Sequence, residues 1–366
     1  MPVYYAVGSA LLDDAEYADF EQVVFRKGLQ KSITFSTGVL EAEAKSTFLT
    51  DSGPVDFVDI QFGKPLTVEI RYVYPGRFPK PGLFDKSKDL LVTSAMKSIA
   101  SFNKAPRAVN FLVKDVVARE GHGMVAATDD GTPLVFYSPA VDMYNSVLTL
   151  EFGFRDFDPA VFKFLSDALK SAAGVPIFAT SSFQLTFASS VVTLAGDVGK
   201  AIFEKPPTFK ASEPIQFLRP GSSVSRAGFR LVTQTEADYA VLKAYEVHES
   251  GKLIDKNGAA YQGDIPYMVI SMDGRANDSY KDFTPTAASA ALLEDYFAIR
   301  EQGVAELGAL KRALELYNDY RQHKRVEELD EAEKAITDKT SDAYKENRKQ
   351  RDAAAANIVT KELKVP

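Results

Sequence analysis

The chain has 366 residues, 45% of them hydrophobic and 25% charged, with a formal net charge of −7; this is globular composition, with length for two or three domains. An acidic chain without a sustained basic run has no general attraction to phosphate backbones, so nucleic-acid binding is not expected. Cysteine is absent, which excludes disulfides, thiol nucleophiles and thiolate metal sites.

The first residues, Met1-Pro2-Val3-Tyr4-Tyr5, lack the basic start and apolar core of a secretory leader, so the expected location is the cytoplasm of a prokaryote. Residues 1–62 read as short strands: Val3 to Leu12, Phe20 to Phe25 and the alternating Ser32-Ile33-Thr34-Phe35-Ser36. Val39 to Lys45 suits strand or helix. Val55 to Phe62 leads through Gly63-Lys64-Pro65 towards Leu66-Thr67-Val68-Glu69-Ile70-Arg71-Tyr72, a pattern that predicts a hairpin.

That last strand is echoed by Leu148-Thr149-Leu150-Glu151-Phe152-Gly153-Phe154, with apolar residues at alternate positions in both copies. A duplication would make the first half two related modules. At the same offset, however, Leu112 to Val116 lies over Leu194 to Val198, and one reads as strand while the other reads as helix. Between the copies, Pro75 to Gly82 contains three prolines and cannot be regular. Asp89 to Met96, Val109 to Ala118 and Leu134 to Tyr137 read as strands, with a turn at Asp129-Asp130-Gly131-Thr132-Pro133.

Asp158-Pro159 starts a helix, since a capping oxygen precedes proline at the first helical position. Val161, Leu165, Ala168, Leu169 and Ala172 give it one apolar stripe, closed by Gly174 and Pro176. Phe187, Val191, Leu194, Val198 and Ile202 predict a second helix over 184–204. Strands resume at Pro214–Leu218, Ala227–Thr233, Ala240–Glu246 and Tyr267–Met272, the last two joined through Asp255-Lys256-Asn257-Gly258. From Thr286 the chain is rich in Ala, Glu, Lys, Arg and Leu, which predicts helices with a break at Thr337–Asp342.

Chemical signatures are sparse. His122, flanked by Gly121 and Gly123, is the one histidine that a ligand's close approach would suit, although a loop histidine at a hairpin tip is the plainer reading. His248 and His323 have no metal-ligand spacing. Gly196-Asp197-Val198-Gly199-Lys200-Ala201 departs from a phosphate loop at both ends. Asp13-Asp14, Asp129-Asp130 and Asp156 with Asp158 are candidate calcium ligands or catalytic acids, or else turn caps.

These readings define an α+β protein. A β-rich body of one or two antiparallel, sandwich-like modules covers residues 1–145 and 146–283, with amphipathic helices near 158–173 and 184–204. A mainly helical C-terminal arm covers 284–366. The expected role is non-enzymatic protein–protein interaction or assembly, with Leu307, Leu310, Leu314 and Tyr317 as the partner-binding stripe for a protein partner or a second copy. Two alternatives are a membrane-active effector stored in soluble form, inserting its 184–204 helix after a conformational change, and an enzyme without a recognisable motif. No cofactor and no metal is expected.

Overall fold

In the computed structural model, the structure describes residues 3–26, 57–80, 88–98, 107–141 apart from 125, 145–179 apart from 173, 184–187, 190–193, 206–216, 226–283, 287, 290, 319–320, 323–324, 326–356, 358 and 364. The chain divides into two compact units, Met1–Glu294 and Asp295–Pro366. It is mixed α+β, with a β-rich first unit built on antiparallel sheets.

The strands in chain order are β1 (Val3–Val7), β2 (Ala10–Leu12), β3 (Leu66–Tyr74), β4 (Lys88–Ser98), β5 (Arg107–Val116), β6 (His122–Gly123), β7 (Leu134–Ser138) and β8 (Asn145–Arg155). They continue with β9 (Ile177–Ala179), β10 (Gln184–Phe187), β11 (Ser190–Thr193), β12 (Phe209–Gln216), β13 (Gly228–Val232), β14 (Glu246–Val247), β15 (Leu253–Ile254) and β16 (Tyr267–Asp273). One sheet runs β2-β1-β13-β16-β3-β6, with β7 also paired to β3, and the other runs β11-β10-β9-β5-β4-β8-β12. Each sheet therefore combines strands from residues 1–145 with strands from 146–283.

The two sheets share one apolar interior. Leu66, Val68 and Ile70 of β3, Met268, Ile270 and Met272 of β16, Leu90 and Val92 of β4, and Leu148, Leu150 and Phe152 of β8 all bury there. Each such side chain contributes about 1.5–3 kcal/mol on leaving water. The echoed strands thus sit in opposite sheets with the same alternation, apolar residues inward and Glu69 or Glu151 outward. Glu69 accepts from Tyr280 Oη at 2.7 Å, and Glu151 pairs with Arg107 and Lys210 at 3.2 and 2.9 Å.

A bulge in β3 breaks its alternation. Val269 pairs with Tyr72 while Ile270 pairs with Ile70, so Arg71 is extra and every later side chain changes face. Val73 joins the interior. Tyr72, which the alternation read from the sequence puts on the face of Leu66, instead joins Tyr74, Tyr4, Tyr261, Tyr267 and Val269 in an outer tyrosine layer. That layer is covered by the β14–β15 hairpin and by a short helix at Glu236–Leu242.

The α-helices of the first unit described over their full length are α1 (Asp14–Arg26), α2 (Pro159–Ser171) and α3 (Glu236–Leu242). α2 is the helix read from the sequence: Asp158 Oδ1 accepts from the Ala160 amide at 2.8 Å, and Leu165, Ala168, Leu169 and Ala172 bury on β4 and β5. α1 and α3 replace the strands expected at Phe20–Phe25 and Ala240–Glu246. Their capping boxes, Asp13 with Glu16 and Thr235 with Asp238, satisfy amides that a strand would not leave open.

The expected helix over 184–204 is corrected where it is described. Residues 184–187 and 190–193 form the antiparallel pair β10–β11, and the remainder lies outside the described residues. Ser190-Val191-Val192-Thr193 is β-branched at three of four positions, and a pleated surface suits such side chains better than a helix does. No hairpin forms at Gly63-Lys64-Pro65, because Phe62 bridges in parallel to Val141. Asn257-Gly258 does turn the chain, with Gly258 at φ 80°, but it returns Ile254 to Ala260 rather than to β16.

Residues 130–134 join the sheets at one edge. The Leu112 amide donates to Asp130 O at 2.9 Å, Thr132 N to Asn110 O at 2.9 Å, and Ile70 N to Pro133 O at 2.8 Å. Asn110, fully buried in a β5 bulge, adds an Nδ2 bond to Leu134 O at 2.8 Å. Gly131 passes so close, at φ 145°, that a Cβ there would lie 1.8 Å from Asn110 O.

In the second unit, residues 326–335 are helical and α4 (Asp342–Ala356) follows. Glu333 pairs with Arg348 and Asp330 with Arg351, at 3.3 and 3.0 Å, so the two helices run antiparallel. Val326, Leu329 and Ile358 are buried. The break expected at Thr337–Asp342 is present, with Ser341 Oγ accepting from the Tyr344 amide at 3.2 Å.

Gly131→Ala is expected to destabilise the first unit by about 2–4 kcal/mol, through a forbidden contact and a strained φ together. Gly258→Ala, where nothing lies within 4 Å of the added Cβ, should lose about 1 kcal/mol. Urea midpoints for the two variants measure the difference, and equal losses would show that the seam is not under this constraint.

Candidate functional site

The site grows from β1, whose pleat sends neighbouring tyrosines to opposite faces. Tyr4 faces outward and stacks on Tyr239 of α3, with ring centroids 3.3 Å apart and planes 5° from parallel. Tyr239 Oη donates to Leu11 O at 2.9 Å. Lys243 Nζ lies 2.5 Å from Glu16 Oε1 and 5.5 Å from the Tyr239 ring centre. That ion pair holds the Glu16 carboxyl below its ordinary range, the bond from Lys243 being the largest cause.

Tyr5 faces inward, stacked on Tyr17 of α1 at 4.0 Å. Arg226 and Arg230 are 3% and 1% exposed, and buried guanidinium groups require compensation. Arg226 lies 3.4 Å from Glu21 Oε1 and 3.7 Å from Asp14 Oδ1, and Nη1 donates to Tyr5 Oη. Tyr5 Oη in turn donates to Asp14 Oδ1 at 2.7 Å. Arg230 donates to Arg226 O at 2.6 Å and sits 4.1 Å above the Tyr5 ring. Among the described residues its Nε finds no acceptor, and the ring face supplies part of the missing compensation. Burial pushes the Tyr5 phenol up, against the pull of Arg230 and Arg226.

Between the N-terminal ends of α1 and α3 and the strand β12 lies an open cleft of about 480 Å³. Its lining includes Tyr4, Tyr239 and four carboxylates, Asp13, Asp14, Glu213 and Glu236. Asp13 caps α1, accepting from the Glu16 amide at 2.8 Å. Glu236 opens α3. Burial, then Tyr239, Glu236, Asp13 and Glu16, drive the Tyr4 phenol well above its ordinary value, so it stays protonated. The lining offers acceptors and aromatic faces, which is the chemistry of cation recognition.

The acidic pairs singled out from the sequence are not gathered into one centre. Asp13 and Asp158 cap helices, Asp129 pairs with Lys170 at 3.3 Å, and Asp156 pairs with Lys88 at 2.6 Å. Among the described residues, no three histidine or acidic side chains are arranged as metal ligands. His248 Nδ1 bonds Ser250 Oγ at 2.8 Å within a turn, and His323 lies 3.7 Å from Glu327. Leu307, Leu310, Leu314 and Tyr317, like Gly196 to Lys200, lie outside the described residues. Among the described residues, no helix is long and apolar enough to cross a membrane.

Sequence reading missed the cleft because α1 and α3 were read as strands, and it gave Arg226 and Arg230 no role. The spacings Asp13-x-x-Glu16 and Thr235-x-x-Asp238 carry the signal that finds both helix starts. Comparison with protein-family models, with curated proteins and with solved structures returns no match. Class therefore rests on the fold itself, an antiparallel sandwich with a cleft at the end of β1.

His122, on β6 beside Val73, has a buried Nε2 with no partner among the described residues. Burial lowers its pKa from the ordinary 6.5, against a weaker raising effect of Glu120. The unfolded chain then takes up this proton before the folded chain does, so stability falls as pH drops below about 6.5. Melting temperatures from pH 7.5 to 5 should fall less steeply for His122→Gln than for the wild type; parallel curves would remove His122 from the acid response.

Proposed function

We propose that the protein is a non-enzymatic binding and assembly subunit, in which the sandwich presents a preformed recognition cleft and the C-terminal helical region mediates self-association or partner docking. The observation that carries this reading is the cleft lining. Its carboxylates and tyrosines are fixed by the strands β1 and β12 and by two capped helix starts, so recognition groups are ordered before a partner arrives, which reduces the entropy lost on binding. The apolar spacing of Leu307, Leu310, Leu314 and Tyr317 supports the second part, since such a stripe on a helix gains free energy when a partner covers it.

Light scattering coupled to size exclusion tests the assembly half on the full chain. A particle heavier than the 40.1 kDa chain is expected, and Leu307→Glu with Leu314→Glu should reduce it to a monomer. A wild-type monomer, or a multimer indifferent to both substitutions, would remove this stripe from the account.

A further inference from the structure

The edge of β3 that faces away from β16 is covered in two stretches. β7 pairs with Leu66 to Glu69, and the Ile70 amide donates to Pro133 O at 2.8 Å. Beyond the bulge the two-residue strand β6 takes over, with Gly123 opposite Tyr72 and His122 opposite Val73. The Met124 amide adds one bond, to Arg71 O at 2.8 Å. Cross-strand partners share a face, so His122 lies on the side of Val73, which is buried between the sheets. Met124, two residues on, buries in the same interior. β6 is thus held by three backbone positions and two inward side chains, one of them an imidazole.

That imidazole is badly placed to carry charge. Its buried Nε2 meets no acceptor among the described residues, and a protonated ring has two N–H donors to satisfy. Its neighbours are apolar or engaged elsewhere. Val73 and Met124 are hydrocarbon and thioether, and burial keeps the Tyr72 phenol protonated. Arg71 bonds Glu69 at 3.1 Å, and Arg119 bonds Asp264 at 2.7 Å. Glu120 is the one described charge that acts on the ring, and burial outweighs it. The cation is therefore stable only where water reaches both nitrogens.

We propose that β6 is an acid-released edge strand: protonation of His122 detaches His122 to Met124 from β3 and bares the backbone of Arg71 and Val73, while β7 stays paired. In the open form the histidine is solvated and regains its ordinary pKa of 6.5, which the closed form lowers. Each pH unit below 6.5 then raises the ratio of open to closed chains by up to about tenfold. The opening is local, because the β3–β7 and β3–β16 ladders contain no group of this kind.

Hydrogen exchange read by mass spectrometry on the full chain tests the release, at about pH 7.5 and about pH 5.5, with rates corrected for the intrinsic effect of pH. Protection in peptides covering 71–74 and 119–124 should fall roughly fivefold to tenfold in acid, with β16 unchanged. His122→Gln, which takes up no proton in this range, should protect both peptides equally at the two pH values. Proton NMR titration of the wild-type imidazole keeps the test decisive where that variant is poorly folded, and the folded-state ring should titrate below 6.5. Unchanged protection in acid overturns the proposal, as does a His122 ring titrating at 6.5 or above. An equal acid loss in His122→Gln, or a loss shared evenly by β16, overturns it too.

Discussion

Residues 130–134 are the seam on which the sandwich depends, because they are bonded to β5 of one sheet and to β3 of the other. Two sheets packed only through apolar side chains can slide, since the hydrophobic effect has no direction. Backbone hydrogen bonds across the edge fix their relative position. The bulge at Asn110 makes this possible, as it frees the Asn110 carbonyl and amide side chain for the crossing segment. Gly131 is the residue that permits the contact. With the register pinned, the interior can be packed tightly by Leu, Val, Ile and Phe from both sheets.

The same alternation that builds the interior also builds the candidate site. On β1, Tyr4 and Tyr5 are neighbours in the chain and belong to different environments, one an outer acidic cleft and the other a buried arginine cluster. Asp14 touches both, since it lines the cleft and accepts from Tyr5, which itself accepts from Arg226. The cleft's negative field is therefore not a loose surface feature. It is anchored to buried positive charge through one phenol, and that anchoring keeps an acidic helix start from repelling itself apart.

How much of this was legible in the sequence depended on whether the signal was local. α2 was read from Asp158-Pro159 and an i, i+4 stripe, both contained within its own residues. The strands β4, β5, β8 and β16 followed from dense Val, Leu, Ile and Phe. The stripe from Phe187 to Ile202 misled because helical spacing can be satisfied by two short strands and their turn, where β-branched side chains at 191–193 favour the pleat. α3 was lost because Tyr239-Ala240-Val241-Leu242 looks strand-like unless the preceding cap is weighed. The Arg226–Arg230 cluster was illegible in principle, since its partners come from α1 more than two hundred residues away in the chain.

The bulge at Arg71 gives β3 a property that residue identity alone does not describe. Before it, even-numbered side chains serve the inter-sheet interior, and after it odd-numbered ones do, while the even-numbered Tyr72 and Tyr74 fill the tyrosine layer. One strand thus carries two successive reading frames, and Arg71 is the spacer between them. The hairpin glycine Gly251 closes over this point, where a Cβ would lie 2.9 Å from Tyr72 Cβ. What is held constant here is the count of residues between Ile70 and Tyr72. A regular alternation over that same count would put Tyr72 and Tyr74 on the face of Ile70 and take Val73 out of the interior.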